Sequence, residues 1–333
     1  MGMTQTPRTL LEAVRFFKSP ENCRDFMVSR RWPNGITCPR CGSEKVYFDT
    51  KGNRWECGTK HPKRTFSLKT GTIFEDSALG LDKWLPCVWL IANAKNGISS
   101  HEIARALGVT QKTAWFMLQR IRLAMQNDEN GGGKLSGEVE IDETLIGGKA
   151  RNMHAAKRKA LIASFPSKRE YFHGKPVMPK ANKVAVLGFL QRGEDGTSKV
   201  RTMTVANVKA YQLQSKVRQN VEEGSAIYTD ALRSYRNMNE YEHEFIDHAN
   251  EYVRGNVHTN GMESYWSLLK RALHGTYISV EPFHLFRYLD EQAFRFNNRR
   301  LNDAQRFIAA IAGIVGKRLT YAQLIAAVDA GTI

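Results

Sequence analysis

At 333 residues, with 42% apolar and 25% charged side chains, the chain has the make-up of an ordinary globular protein, long enough for two or three domains and at least one buried core. Lys and Arg outnumber Asp and Glu 49 to 33, a net charge of +16 spread along the whole chain, which favours a polyanionic partner, nucleic acid ahead of an anionic membrane. No apolar run approaches the ~20 residues that span a bilayer, the N-terminus lacks the apolar core of a signal peptide, and five cysteines argue against a disulfide framework, so the reducing cytoplasm is the expected setting.

Residues 1–33 read as an N-terminal helical segment, in which Thr9–Arg31 predicts two short helices, the second opened by Pro20. Cys38-Pro39-Arg40-Cys41-Gly42 follows. Two thiolates on one tight turn can share an ion, and glycine relieves the backbone at the bend. Cys57 lies sixteen residues beyond Cys41, with His61 after it. Lys45–Phe48 and Asn53–Glu56 read as strands about Lys51-Gly52, so residues 34–70 are expected to form a zinc ribbon held by Cys38, Cys41, Cys57 and His61. The second knuckle departs from the usual Cys-x-x-Cys: Lys60 occupies the customary ligand position. The alternative is a ribbon that has lost its metal and is held by packing. Cys23 and Cys87 fall in helical patterns and are expected to be small core residues.

Residues 78–128 are expected to be an all-α DNA-binding region. Leu81–Asn93 predicts an apolar helix, and Gly97–Gln126 has the rhythm of a helix-turn-helix. Ser99 or Ser100 can cap the first helix, Gly108 permits the turn, and Thr110 caps a second helix that begins with Gln111, Lys112 and Thr113. Those three side chains are the candidates for base or phosphate contacts, and a plain helical hairpin is the alternative. The glycine-rich stretch 129–137 reads as a linker.

The remainder, 138–300, reads as the catalytic domain, with 301–333 set apart as C-terminal helices. Glu138–Thr144 alternates as a strand ending near Asp142. Lys149–Lys183 carries ten Lys or Arg against one acid, Glu170, and is read as a basic loop suited to phosphates, with Lys157, Arg158 and Lys159 as candidate contacts. A hairpin (Lys183–Gln191, Lys199–Val205), a helix (Asn207–Glu223), a strand ending on Asp230 and a short strand at Glu244–Ile246 come next. In Arg254–Tyr277, helical spacing puts Met262, Tyr265, Trp266, Leu269 and Leu273 on one side. Glu263, Ser267, Lys270 and His274 fall on the other, with Asn260 in line at the start. The plain alternative is an amphipathic helix with a capping box made of Asn260 and Glu263. Strand, hairpin, helix, strand, helix is the order of a ribonuclease-H-like domain, in which Asp142 and Asp230 would sit at neighbouring strand ends. With an acid from the following helix they would suit Mg²⁺ or Mn²⁺, and paired ions can activate a water or 3′-hydroxyl on a phosphodiester. Lys270, and Arg271 beside it, could meet a phosphate.

Taken together, CPRCG, KTGTIF, the helix-turn-helix, EIDETLIGGK, YTDA, HTNGMESYWSLLKRALHGTY and RYLDEQAFRFNNR resemble the ISXO-like insertion-sequence transposases, bacterial relatives of the Merlin elements, from about the ribbon to Arg299. The resemblance implies a DDE-type transposase that cuts double-stranded DNA at terminal inverted repeats with Mg²⁺ and joins the freed 3′ ends to target DNA. It implies Asp142 and Asp230 as the first two acids. Asn260 matches the asparagine of the family's HTN motif, while Glu263 stands seven residues before Lys270, the acid-to-lysine spacing of DDE enzymes. Glu263 is preferred as third ligand, with Asn260 in the same site and Glu143 a bystander. Since two DNA ends must meet, a dimer or larger homo-oligomer is expected. A DNA-binding regulator without strand transfer, and a nuclease that cuts without joining, are the rival readings.

Overall fold

The computed structural model describes residues 6–126, 133–148, 154–156, 159, 171–172, 175–176, 183–193, 197–230, 233–246 and 258–326. Lys157, Arg158 and most of the basic stretch between Lys149 and Lys183 lie outside these. No described helix is long and apolar enough to cross a membrane. The chain divides into two compact units, Met1–Asn127 with Asp290–Ala327, and a second that contains Asp128–Leu289.

In the first unit, Ser19 caps helix α2 (Pro20–Arg31) and Thr9 caps α1 (Leu10–Phe17), so the two short helices form where the chain offers a capping hydroxyl. Strands β1 (Val46–Asp49), β2 (Arg54–Cys57) and β3 (Thr65–Phe66) make a small antiparallel sheet in that order. Its apolar face is thin: Trp55 stacks on Phe66 at 6.0 Å and meets Trp32 edge-on at 5.6 Å. Helix α3 (Leu81–Asn93) is buried along most of its length. Helices α4 (Ser100–Leu107) and α5 (Gln111–Met125) are joined by the turn chemistry expected of them. Ser99 and Glu102 form a reciprocal capping box, Gly108 adopts φ 64°, and Thr110 caps α5. The helix Asp303–Ala312, from the segment set apart as C-terminal, belongs to this unit's core. Its Phe307 lies 5.7 Å from the rings of both Phe17 and Phe26 and 5.2 Å from Trp89.

The second unit is built on a five-stranded mixed sheet. Its strands are β4 (Glu138–Ile146), β7 (Val184–Gln191), β8 (Lys199–Val205), β9 (Ala226–Asp230) and β10 (Glu242–Ile246); β5 (Tyr171–Phe172) and β6 (Lys175–Pro176) pair separately. Spatial order is β10-β9-β4-β7-β8, with β7 antiparallel to its neighbours β4 and β8, and β9 parallel to both β4 and β10. Helix α6 (Ala210–Asn220) covers one face, where its Leu213 and Val217 join Val139, Ile141, Leu187, Phe189 and Ile227 in a single apolar cluster. Helix α7 (Asn260–Ala272) covers the other face and runs on into a π-turn at Leu273–Tyr277; the division between the units falls within α8 (Leu285–Asn297).

Gly188 decides how closely α7 approaches the sheet. A Cβ there would stand 2.2 Å from Met262 Cε and 2.7 Å from the Trp266 ring. Gly188→Val is therefore expected to lift α7 and destabilise the unit by about 1–3 kcal/mol, read as a lowered denaturant midpoint. An unchanged midpoint would show that the helix does not rest on this residue.

Candidate active site and metal centre

Strands β4 and β9 run parallel with Val139 opposite Ile227 and Glu140 opposite Tyr228. Asp142 and Asp230 each stand two residues beyond the last of these pairs; Asp230 ends its strand as expected, whereas β4 runs on to Ile146 and leaves Asp142 mid-strand rather than at a strand end. Asp142 is held from two sides: Trp266 Nε1 of α7 donates to its Oδ2 at 2.8 Å, and the backbone N–H of Glu143 donates to its Oδ1 at 2.8 Å. Burial, opposed by those two bonds and reinforced by repulsion from Asp230 and Glu263, raises the Asp142 carboxyl to about 6. Asp142 thus feels the charges of Asp230 and Glu263, although the three come from distant parts of the chain.

Glu143, expected to be a bystander, belongs to the same cluster. Burial first, then the charges of Asp230 and Asp142, push its carboxyl to about 8, and its Oε1 is buried without a hydrogen-bond partner among the described residues. Alternation along β4 had separated Glu143 from Asp142 and hidden this coupling. Crowded carboxylates around Asp142, to which no cationic side chain bonds among the described residues, suit a divalent cation, whose charge would relieve the repulsion.

The outer face of α7 is as expected. Glu263, Ser267, Lys270, Arg271 and His274 are exposed, whereas Met262, Tyr265, Trp266, Leu269 and Leu273 are buried. The capping-box alternative does not form: Thr259 is the N-cap residue, makes no side-chain cap bond, and Asn260 is the first, exposed residue of the helix.

These carboxyls set a pH dependence. Both are raised above their ordinary values of 3.8 and 4.5, so the folded, metal-free protein holds protons that the unfolded chain releases. Stability is then full below about 4 and is lost as pH rises through about 6 for Asp142 and about 8 for Glu143. Calorimetric melting of metal-free protein should show stability falling between pH 5 and 8 by on the order of a few kcal/mol. Glu143→Gln should flatten the upper part of that fall, and a wild-type profile already flat there would contradict the assignment.

In the ribbon, the ligand atoms of Cys38, Cys41, Cys57 and His61 all lie within 4.8 Å of one another. Among the described residues this is the one group of three or more potential ligands so drawn together. Cys38 Sγ stands 3.5 Å from His61 Nε2, and Cys41 Sγ 3.6 Å from Cys57 Sγ. His61 Nδ1 lies 2.8 Å from the Pro62 carbonyl, a contact that places the ring proton on Nδ1 and leaves Nε2 bare for a metal. Gly42 makes the knuckle's turn at φ 73°, its N–H bonded to the Cys38 carbonyl. Burial works to raise the Cys57 thiol, yet contacts from His61 and the Thr59 amide bring it down to about 6. Cys23 and Cys87 are buried thiols pushed up to about 12 by desolvation, as core residues would be.

At the start of α5, Gln111 and Lys112 are exposed and Thr113 is half-buried. Each contacts another part of the unit: Gln111 Nε2 donates to Ser100 Oγ at 2.8 Å, Lys112 Nζ lies 5.0 Å over the Tyr321 ring, and Thr113 Oγ1 is 2.8 Å from Thr110 Oγ1. Lys159 is exposed.

Comparison with known proteins gives two family matches: an ISXO2-like transposase domain over residues 134–297 and a transposase zinc-ribbon domain over residues 18–59. The chain is 30% identical over 269 residues to an uncharacterized protein in the transposable element ISH50 of Halobacterium salinarum, an alignment spanning 78% of this chain and 85% of that protein. It is 32% identical over 105 residues to an uncharacterized transposase-like protein of Haemophilus influenzae, covering 31% of this chain and 85% of that one. No solved structure matches.

Proposed function

Because the chain belongs to the ISXO2-like transposase family, with a transposase zinc ribbon at its N-terminal side, we propose that it is a DDE-type DNA transposase, cutting double-stranded DNA at the ends of its own element and joining the freed 3′ ends to a target. The observation that carries this reading is the buried Asp142 carboxyl, held by the Trp266 indole N–H and facing the charges of Asp230 and Glu263. The strand order β10-β9-β4-β7-β8 supports a ribonuclease-H-like sheet beneath those acids.

Asp142, Asp230 and Glu263 would hold Mg²⁺ or Mn²⁺, with Asn260 beside them; when bound, the ions supply Lewis-acid activation of the attacking oxygen and stabilise the leaving one. The protein's own part is positional. Trp266 fixes the Asp142 carboxylate by its indole N–H. Lys270 and Arg271, exposed on the same helix as Glu263, would meet phosphates and hold the DNA end near the acids. The ribbon would carry Zn²⁺ on Cys38, Cys41, Cys57 and His61. The α4–α5 pair would act as a helix-turn-helix, with Gln111, Lys112 and Thr113 exchanging their present contacts for DNA. Lys157, Arg158 and Lys159 would add phosphate contacts, and two ends require a dimer or larger assembly in the cytoplasm.

The test is incubation of purified protein with labelled element-end DNA, target DNA and Mg²⁺. Cut ends that become covalently attached to target are expected. Cutting without attachment would instead indicate a nuclease, and retention of DNA without cutting a regulator.

A further inference from the structure

Strand β4 presents Glu138, Glu140 and Asp142 at alternate positions, and their surroundings treat them differently. Arg192, just past the end of β7, reaches the first two: Nη1 donates to Glu138 Oε2 at 3.3 Å and Nε to Glu140 Oε1 at 2.8 Å. Its guanidinium lies 4.5 Å over the Tyr228 ring, and Nη2 donates to the His258 carbonyl at 2.7 Å. Glu140 is 1% exposed, and its second oxygen, Oε2, accepts the backbone N–H of Met262 at 2.9 Å. Met262 sits in the first turn of α7, where N–H groups have no partner within the helix and the N-cap residue Thr259 makes no side-chain capping bond. Gly261 completes the fit, since a Cβ there would stand 2.8 Å from Glu140 Oε2.

We propose that Glu140 is a positioning residue: a buried carboxylate, balanced by Arg192, that pins the first turn of α7 to β4 two residues from Asp142 and so sets Glu263 against the Asp142–Asp230 edge. A carboxylate at a helix N-terminus gains from the macrodipole as well as from the charge-assisted bond. Both oxygens of Glu140 are engaged within the protein, which separates its role from that of a metal ligand. The clamp stands on the geometry; its consequence for catalysis rests on the strand-transfer reading above.

The test compares wild type, Glu140→Gln and Glu140→Ala in the full-length protein. Amide hydrogen exchange is followed over residues 258–266, with kcat and KM for end cleavage at saturating Mg²⁺. Glutamine keeps a carbonyl oxygen for Met262; alanine has none. Glu140→Ala should exchange the first turn of α7 about tenfold faster and lose about 10–100-fold in kcat, with KM for DNA nearly unchanged. Glu140→Gln should keep near-normal exchange and recover most of kcat. Should Glu140→Ala fail to fold, Glu140→Leu, similar in volume and without an acceptor, carries the same expectations. Normal exchange in the alanine variant overturns the clamp, and so does a glutamine variant as impaired as the alanine one. Exchange is read on the protein alone, so a wild type that cuts no DNA defeats the strand-transfer reading and leaves the clamp standing.

Discussion

Asp142→Asn and Asp230→Asn should each lower end cleavage by on the order of 10³-fold or more while leaving binding to the element ends intact. Asparagine keeps the shape of aspartate and, at position 142, an oxygen that still accepts the Trp266 indole N–H now bonded at 2.8 Å. What it removes is the charge that would hold a divalent cation. The same loss relieves repulsion, because Asp142 is raised by its neighbours Asp230 and Glu263 as well as by burial. The inactive Asp142→Asn protein should therefore melt at a higher temperature than wild type when both are metal-free at pH 8, and lose that advantage in Mg²⁺. This pairing of lost activity with gained stability separates removal of a ligand from damage to the fold. A variant both inactive and less stable would show that Asp142 serves the structure instead.

Zinc removal should have the second largest effect. Three strands of two to four residues, with Trp32, Trp55 and Phe66 packed together, give the ribbon little apolar surface of its own. Such modules take apparent folding energy of about 10–16 kcal/mol from the metal. One zinc per chain is expected by elemental analysis, falling to none in Cys57→Ser. Chelation should expose Trp32 and Trp55, shift tryptophan emission to the red and abolish selective binding to element ends, while the melting of the second unit persists. A fully folded ribbon with no zinc would mean that packing alone holds it.

Several local features could be read from spacing. The faces of α7 follow from 3.6-residue periodicity, and Met262, Trp266 and Leu269 are buried where Glu263, Lys270 and His274 are exposed. The ribbon's knuckle and the Ser99, Gly108 and Thr110 signals are local chemistry and form as expected. Less legible were pairings between residues far apart in the chain. Glu140, in the same motif as Asp142, spends its charge on Arg192 and the start of α7. Glu143 joins the acid cluster although alternation places it on the other side of its strand. Glu291, in the last motif that suggested the family, is fully buried against Arg122 at 2.6 Å, and Phe307 closes a core whose other walls lie more than two hundred residues earlier. Side-chain identity at such positions says little until the chain is folded, because its partner is chosen by topology.

The most direct measurement is the anomalous signal of Mn²⁺ in crystals of the protein bound to element-end DNA. Manganese is expected beside β4 and β9, held by the Asp142, Asp230 and Glu263 carboxylates. Manganese bound elsewhere, or Asp142 and Asp230 turned to separate surfaces with no shared ion, would contradict the account.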